Sequence, residues 1–310
     1  MADIVISEFL DEAAIATILK GRDVLYDPKL VDDAPRLFAA LKDTRAIVVR
    51  NRTQVRGALL GAAPKLAVVG RLGVGLDNID MEACKARGIE VFPATGANDI
   101  AVAEYVIASA LILVRRAYAA SAEVSSGQWP RNALIGGEVF GRTLGLVGYG
   151  AIARETAARA RALGLEIAAY DPYLPADDPH WRGVRNLPLH QLLAESDVLS
   201  LHTPLTKETH HMIGAAAIAE MKRSAVLINA ARGGVVDEAA LADALREGRL
   251  AGAALDVFVE EPLSAASGAK FAGLSNVILT PHIAGVTEES NVRVSRVTLE
   301  KVAAALDRRS

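Results

Sequence analysis

Short apolar runs alternate with helical patterns along the first hundred residues, which is typical of strands that alternate with helices. The apolar runs predict four strands, at residues Ile4–Ile6, Ala46–Val49, Leu66–Val69 and Ile89–Phe92. The helical patterns lie at residues Glu12–Lys20, Leu37–Leu41 and Asp80–Arg87. Asp80 is placed to cap the third of these helices. The alternation predicts a parallel sheet that is covered by helices on both faces.

The same alternation resumes after a long stretch rich in Ala, Val and Ile, which predicts one helix from Asp99 to about Ser125. A final helix is predicted at Val292–Leu306, and further strands are predicted at Thr143–Val147, Leu165–Tyr170, Val198–Leu201, Ala225–Asn229, Ala251–Leu255 and Val277–Leu279. Strands in this half end on polar residues. Because ligands of open parallel sheets bind beyond the carboxyl ends of the strands, we expect the chemistry at those ends.

One stretch, Thr143 to Asp171, reads as strand, glycine turn, helix, strand and acid. Gly148 permits a tight turn, and Gly150 lets the backbone approach a pyrophosphate at the helix N-terminus. Ala153 occupies the third glycine position, where a small side chain suffices. Asp171 can accept both ribose hydroxyls and would repel a 2′-phosphate, so the pattern predicts a dinucleotide site that prefers NAD to NADP.

Composition narrows the classes of function. The chain has 310 residues, of which 51% are hydrophobic and 23% charged, with a net charge of −3, so nothing indicates binding to nucleic acid or to an anionic membrane. No apolar run reaches the roughly 18 residues that span a bilayer, and acids stand where a secretory signal carries bases. We therefore expect a cytoplasmic protein. The single Cys84 is predicted to be a small apolar residue that is buried or half-buried, and no metal site is expected.

Three strand-end segments carry ionisable groups suited to a 2-oxo acid, namely those that contain Arg232, Glu261 and His282. Reduction of a 2-oxo acid needs a cation for the carboxylate and a proton donor for the developing alkoxide. A guanidinium, and an imidazole beside a carboxylate, can supply these functions. Taken singly, each of these residues could equally well form a surface ion pair or make its hydrogen bonds within the fold. The prediction therefore depends on their combination with a nicotinamide site.

Several motifs occur in the order found in a known family: GRLGVGLDNID from Gly70, NDIAVAE from Asn98, then GRTLGLVGYGAIA, SLHTPLT, INAARGGVVDE, ALDVFVEEPL and LTPHIAG. The chain resembles the D-isomer-specific 2-hydroxyacid dehydrogenase family over nearly its whole length, and especially the phosphoglycerate dehydrogenase-like branch. The resemblance implies that Arg232 binds the substrate carboxylate, that His282 protonates the carbonyl oxygen, and that Glu261, rather than Glu260, pairs with His282.

The resemblance also implies binding residues. For the substrate these are the amides of Val74 and Gly75, together with Asn98. For NAD they are Gly148, Gly150, Ala151 and Ile152 at the pyrophosphate, Asp171 at the adenosine ribose, and His202, Thr203, Ala230, Asp256 and Gly285 beside the nicotinamide and its ribose.

The fold implied is α/β, with two Rossmann-like doubly wound parallel-sheet domains and the active site in the cleft between them. Residues 1–97 and 287–310 would form a flavodoxin-like substrate domain, and residues 98–286 the NAD-binding domain. Because no sequence follows Ser310, we expect no C-terminal regulatory domain. The family also implies a homodimer or homotetramer formed through the cofactor domain, with Trp129 directed at a neighbour.

The loop Arg50-Asn51-Arg52 offers two cations that could neutralise an anionic group on C3 of the substrate, although solvated arginines would look the same in sequence. We rank 3-phosphoglycerate first as substrate. Hydroxypyruvate or glyoxylate (as reductase substrates) and 3-sulfolactate are alternatives. A different class of function, an NAD-sensing corepressor-like binding protein, also remains open because such relatives keep the fold.

Overall fold

A computed structural model of the chain describes residues 2–309. The chain divides into two compact units, one formed by Met1–Asn98 with Val286–Ser310 and the other by Asp99–Gly285. These limits lie one residue from the limits predicted from the sequence. The assignment of one unit to the substrate and the other to the cofactor stays a prediction.

The first unit contains a five-stranded parallel sheet with helices between its strands. Its elements up to the junction are β1 (Ile4–Ile6), α1 (Glu12–Ile18), β2 (Val24–Tyr26), α2 (Ala34–Ala40), β3 (Ala46–Val49), α3 (Gly57–Ala62), β4 (Val68–Arg71), α4 (Met81–Ala86) and β5 (Glu90–Pro93). The strand order is β2-β1-β3-β4-β5, the flavodoxin-like doubly wound order. The Asp80 carboxylate accepts the amide of Ala83 at 2.9 Å, so the predicted helix cap is confirmed.

The sequence did not indicate β2 and α3. β2 is an edge strand whose three residues are only half-buried, so it lacks the apolar signal of β1 and β3. α3 begins at Gly57, a residue with low helix propensity. Cys84 is buried as predicted.

The second unit contains a seven-stranded parallel sheet. Its elements are α5 (Asp99–Arg115), α6 (Ser121–Ser125), β6 (Thr143–Val147), α7 (Ala151–Ala162), β7 (Glu166–Tyr170), β8 (Arg185–Asn186), α8 (Leu189–Glu195), β9 (Val198–Leu201), α9 (Ala215–Glu220), β10 (Val226–Asn229), α10 (Glu238–Arg246), β11 (Gly252–Leu255), α11 (Ala265–Gly268) and β12 (Val277–Leu279). The order β12-β11-β10-β9-β6-β7-β8 reverses direction between β6 and β9. This reversal is the topological switch point at which dinucleotides bind in Rossmann folds.

The single long helix predicted from Asp99 to Ser125 was wrong. α5 ends at Arg115, and Arg116 has a left-handed backbone with φ of 59°. The amide of Gly137 donates to the carbonyl of Val114 at 2.9 Å, so a later segment satisfies a group that a continued helix would have used. α6 is therefore a separate short helix.

The chain returns to the first unit with α12 (Glu288–Asp307), as predicted, and the side chain of Thr287 caps this helix. α12 packs on β4 at Gly70, where an added Cβ atom would lie 2.7 Å from Val302 and 2.8 Å from Thr298. Only glycine permits so close a contact. Within residues 2–309, no helix combines the length and the apolar character needed to cross a membrane.

Candidate active site

The turn after β6 is built around a glycine that no other residue could replace. Gly148 has φ of +87°, and an added Cβ atom would lie 2.8 Å from the carbonyl oxygen of His202 and 3.1 Å from Thr203. The amide of Gly148 donates to the carbonyl of Tyr170 at 2.8 Å. The turn thus lies against the ends of both β7 and β9, at the switch point of the sheet.

The N-terminus of α7 is open to an anion. Gly150 is the N-cap and offers no side-chain cap, and no acid occupies the first turn, which contains Ala151 and Ile152. An added Cβ atom at Gly150 would have no neighbour within 4 Å. Ala153 is fully buried against the sheet, which explains the small side chain there. Free amides and the helix dipole at this terminus suit a pyrophosphate.

Asp171, at the end of β7, is held in place by backbone amides. One carboxylate oxygen accepts the amide of Tyr149 at 2.8 Å, and the other accepts those of Tyr173 at 2.9 Å and Leu174 at 3.2 Å. Each oxygen retains capacity to accept a hydroxyl group. The geometry is compatible with the predicted contact to a ribose.

The residues that follow β9 are arranged for a polar ligand. His202 lies 2.9 Å from the hydroxyl of Ser200 through Nε2, and desolvation lowers the pKa of His202 to about 4, which keeps this imidazole neutral near pH 7. The hydroxyl of Thr203 is buried and has no hydrogen-bond partner among the described residues. A buried hydroxyl beside Gly148 that lacks a partner fits a dinucleotide, which would supply the missing hydrogen bond.

Asp256, predicted to contact the cofactor, also organises the loop that carries His282. Its Oδ1 accepts the hydroxyl of Thr280 at 2.6 Å and the amide of Ile283 at 2.8 Å, and Oδ2 accepts the amide of Ala284 at 2.8 Å. Its own carbonyl accepts the amide of His282 at 2.8 Å. We call residues Thr280–Ala284 the His282 loop. Gly285 follows it directly as the last residue of the second unit.

The imidazole of His282 faces a carboxylate that is fixed on both sides. Nδ1 of His282 lies 2.7 Å from Oε2 of Glu261, and Oε1 of Glu261 accepts the amide of Phe258 at 2.9 Å. Burial raises the pKa of Glu261, but the hydrogen bond from His282, the Phe258 amide and the charge of Arg232 together bring that pKa below its usual value. Nε2 is left as the ring nitrogen that can exchange a proton with a substrate.

Glu260 has different surroundings, although it is adjacent in sequence. Its side chain is exposed and accepts the hydroxyl of Ser267, a hydrogen bond that lowers the pKa of Glu260. The structure therefore places Glu261, and not Glu260, against His282.

Arg232 lies on a loop that is packed tightly on the Glu261 segment. Asn229, which ends β10, braces this loop by donating to the carbonyl of Arg232 at 2.8 Å and accepting the amide of Ala231 at 3.1 Å. An added Cβ atom at Gly233 would lie only 2.0 Å from the carbonyl carbon of Phe258. Ala230, predicted to contact the cofactor, is half-buried in the same loop. The catalytic residues predicted from the sequence are thus brought together within the second unit.

In the first unit, the loop after β3 is held by a buried acid. Glu8 accepts the amides of Arg50 at 2.8 Å, Thr53 at 3.0 Å and Arg52 at 3.2 Å. Glu8 follows β1, and β1 and β3 are neighbours at the switch point of the five-stranded sheet. Asn51, also predicted as a ligand, is half-buried in this loop.

The two loop arginines differ in their surroundings. The Arg50 guanidinium is buried, lies 3.9 Å from the centre of the Phe9 ring and donates to Asn291 at 2.5 Å. Desolvation lowers the pKa of Arg50 to about 10, so it remains cationic at neutral pH. Arg52 is exposed and forms an ion pair with Asp32. Of the two predicted anion ligands, Arg52 is therefore already partnered by an acid.

The remaining predicted substrate ligands carry unused polar groups. Val74 and Gly75 lie in the loop after β4, and their amides have no acceptor within residues 2–309. Oδ1 of Asn98 is buried and has no hydrogen-bond partner in the described part of the chain. Such groups are expected to meet a ligand or water.

Comparison with known proteins identifies the family. The family model described as D-isomer specific 2-hydroxyacid dehydrogenase, NAD binding domain, matches residues 107–284. The chain belongs to this family. The dehydrogenase is therefore an NAD-dependent oxidoreductase that acts on a 2-hydroxy acid, and the predictions of family, fold class, enzyme class and cofactor are confirmed.

Two relatives differ in how similar they are to this chain and in how much of their own length it covers. The (S)-sulfolactate dehydrogenase of Chromohalobacter salexigens is 52% identical over 307 residues, which cover 99% of each chain. The D-3-phosphoglycerate dehydrogenase of Methanocaldococcus jannaschii is 39% identical over 97% of this chain but only 57% of its own length. The chain thus spans about half the length of the phosphoglycerate dehydrogenases that it matches.

A solved structure agrees with this assignment. The D-lactate dehydrogenase of Aquifex aeolicus, complexed with NAD and lactic acid, is 32% identical, has a TM-score of 0.88 and matches 98% of this chain and 95% of its own. The relatives described here carry enzyme names. The competing interpretation as a corepressor-like binding protein gains no support from them.

Several residues that shape the dehydrogenase were not singled out from its sequence. Glu8 and Arg71 are buried charges at the carboxyl ends of their strands, and Arg71 donates to the carbonyl of Leu72 at 2.7 Å. The available signal was a charged residue at the end of a short apolar strand, as for Arg71, or two residues after it, as for Glu8. Tyr105 and Thr280 gave no such signal, because their contact joins residues that are 175 positions apart.

Proposed function

We propose that the dehydrogenase interconverts (S)-sulfolactate and 3-sulfopyruvate. The observation that carries this proposal is the 52% identity, over 99% of both chains, with the (S)-sulfolactate dehydrogenase of Chromohalobacter salexigens. The D-3-phosphoglycerate dehydrogenases among the relatives are 36 to 41% identical to this chain. The comparisons thus favour the sulfolactate alternative over 3-phosphoglycerate, which the sequence had ranked first.

Arg232 is proposed to bind the substrate carboxylate. Its guanidinium can form two parallel hydrogen bonds with a planar carboxylate, and the small residues on both sides of it, Ala231 and Gly233, leave room for that approach. The same cation would polarise the neighbouring C2 oxygen. The amides of Val74 and Gly75 are proposed as further carboxylate donors.

His282 is proposed to exchange the proton of the C2 hydroxyl through Nε2. Glu261 holds Nδ1, fixes the tautomer and stabilises the imidazolium that forms when the hydroxyl proton is taken. Bound NAD would accept the hydride from C2, in a site held by Gly148, Gly150, Asp171 and Thr203. In the opposite direction, the His282 imidazolium returns the proton to the oxygen of the 2-oxo acid.

Arg50 is proposed to bind the sulfonate, with Arg71 as a second cation. The register pairs Val49 with Arg71, so both arginines lie at the carboxyl edge of neighbouring strands. Both side chains are buried, which strengthens their attraction for an anion. Arg52, being exposed and paired with Asp32, is expected to contribute less.

A phosphorylated substrate is the second candidate, since a phosphate and a sulfonate present similar oxygens and several relatives are phosphoglycerate dehydrogenases. Hydroxypyruvate and glyoxylate lack the C3 anion and would leave Arg50 and Arg71 without an anionic partner on the substrate. These compounds are therefore expected to be poorer substrates.

The dehydrogenase is also proposed to be a cytoplasmic homodimer or homotetramer. Three side chains in the segment after α6 are strongly exposed although apolar: Trp129 at 79%, Ile135 at 70% and Phe140 at 78%. An apolar surface of this kind is typical of a protein interface. Light scattering after gel filtration would test the assembly, and a monomeric mass would contradict it.

Steady-state formation of NADH tests the substrate. We expect the highest kcat/KM for (S)-sulfolactate in a panel that includes its mirror image, 3-phosphoglycerate, glycerate and D-lactate, and loss of turnover in His282→Ala. A higher kcat/KM for 3-phosphoglycerate would replace the proposed substrate, while turnover unaffected by His282→Ala would remove the proposed acid–base residue.

A further inference from the structure

A chain of hydrogen bonds leads from α5 to the loop that carries the proposed acid–base residue. The hydroxyl of Tyr105 lies 2.7 Å from that of Thr280, and the Thr280 hydroxyl lies 2.6 Å from Oδ1 of Asp256. Asp256 is almost fully buried, and Tyr105 is half-buried within α5. The chain therefore connects a helix of the second unit with the carboxylate that organises the His282 loop.

The direction of the donors follows from the chemistry of the groups. An ionised carboxylate can only accept, so Thr280 must use its single hydroxyl proton toward Asp256. The Tyr105 hydroxyl must then donate to Thr280. Burial raises the pKa of Tyr105 above its usual value, against the lowering effect of its hydrogen bonds with Thr280 and Ser109, so the hydroxyl keeps its proton at neutral pH.

The His282 loop needs such support because its backbone is strained. His282 has φ of 53°, a left-handed conformation that costs energy for a residue with a side chain. Residues on both sides of His282 are held by the carboxylate of Asp256, through the Thr280 hydroxyl and the amides of Ile283 and Ala284. These bonds fix the direction from which the imidazole meets Glu261.

We infer that Tyr105 is a positioning residue for His282, acting through Thr280 and Asp256. Its hydroxyl orients the Thr280 hydroxyl toward the carboxylate and so completes the hydrogen bonds that hold the loop in its strained form. The inference rests on the proposed role of His282 in proton exchange, but the hydrogen bonds themselves belong to the folded chain without any ligand.

Hydrogen exchange of the full-length protein, measured without substrate, tests the structural half of the inference. Tyr105→Phe removes only the hydroxyl and keeps the ring in place. We expect faster exchange of the amides of Ile283 and Ala284 in this variant, with the Tyr149 amide, which is bound to Asp171, as an unaffected reference. Unchanged exchange in the His282 loop would overturn the inference.

Steady-state kinetics test the effect of Tyr105 on catalysis. The substrate is the 2-hydroxy acid that the wild type oxidises fastest. Tyr105→Phe should lower kcat about fivefold, the effect of one neutral hydrogen bond. Thr280→Val should lower kcat at least as much, because it also loses the hydrogen bond to the Asp256 carboxylate. The double variant should be no slower than Thr280→Val, because the proposed effect of Tyr105 on the His282 loop passes through Thr280. Thr280→Ser, which keeps the hydroxyl, should retain the wild-type kcat.

The outcomes separate this inference from the proposed substrate. The positioning role would be overturned if Tyr105→Phe kept the wild-type kcat and only lowered the melting temperature. It would also be overturned if the losses of kcat in the two single variants added up in the double variant. Preference of the wild type for another acid over (S)-sulfolactate would change the proposed substrate and leave the comparison of Tyr105 variants intact.

Discussion

Glu261 holds His282 from one side and is itself held from the other: Oε2 lies 2.7 Å from Nδ1 of His282, while Oε1 accepts the amide of Phe258 at 2.9 Å. The carboxylate cannot turn away from the imidazole without losing a backbone hydrogen bond. Because its pKa is lowered by these partners in spite of burial, Glu261 is ionised at neutral pH and can stabilise an imidazolium.

Replacing this carboxylate by an amide is expected to reduce catalysis and not folding. Glu261→Gln should lower kcat about a hundredfold, because a neutral amide neither fixes the tautomer nor stabilises the charged ring. Glu260→Gln is the matched control, since Glu260 is exposed and bound to Ser267. Steady-state NADH formation measures both variants, and equal losses would show that the adjacent acids do not differ in role.

Acid should destabilise the fold through His202. The pKa of this imidazole is about 4 in the folded chain and 6.5 ordinarily, so between these values the unfolded chain binds a proton that the folded chain does not. The free energy of unfolding should therefore fall as pH decreases from 6.5 toward 4, by at most about 1.4 kcal/mol per pH unit.

Urea denaturation at several pH values measures this slope. His202→Asn should flatten it, whereas His190→Asn, at an exposed position, should not. A slope unchanged in His202→Asn would mean that another group supplies the pH dependence.

The tight packing of the Arg232 loop should make Gly233 irreplaceable. In Gly233→Ala, the added methyl group would meet the backbone of Phe258 at 2.0 Å, so the loops of Arg232 and Glu261 must separate. We expect a loss of about 2–4 kcal/mol in the free energy of unfolding, together with reduced kcat/KM. In Gly234→Ala, the added methyl group would meet the flexible end of Leu205 at 3.1 Å and the His210 ring at 3.6 Å, so the change should cost less than about 1 kcal/mol. Thermal denaturation compares the stability of the two variants. Equal losses of stability would show that the close contact of Gly233 with Phe258 is not what makes this position sensitive.

The two arginines of the β3 loop should differ in their effect on substrate choice. Arg50→Gln is expected to raise KM for (S)-sulfolactate at least tenfold, the cost of losing a charge-assisted hydrogen bond, and to leave KM for D-lactate nearly unchanged. Arg52→Gln, at an exposed position already paired with Asp32, should change either KM less than twofold. If Arg52→Gln raised KM for (S)-sulfolactate more than Arg50→Gln does, Arg52 and not Arg50 would be the sulfonate ligand. If Arg50→Gln raised KM equally for (S)-sulfolactate and D-lactate, Arg50 would have a structural role.

Local features were predictable because they depend on a few consecutive residues. The turn at Gly148, the open helix start at Gly150 and the acid at Asp171 follow from chain geometry within one βαβ unit, and the structure shows each of them. Apolar runs marked the buried strands. The limit of α5 was missed because the bond that ends it comes from Gly137, which lies beyond the helical pattern.

By itself, the sequence determined the strand and helix alternation, the dinucleotide turn and the set of ionisable residues at strand ends. Only the tertiary structure decided that Arg52 pairs with Asp32 while Arg50 is buried, and that the Tyr105 hydroxyl contacts Thr280. The physical reason is that local patterns depend on backbone geometry and burial, whereas hydrogen bonds and ion pairs depend on which distant strand ends the sheet order makes neighbours.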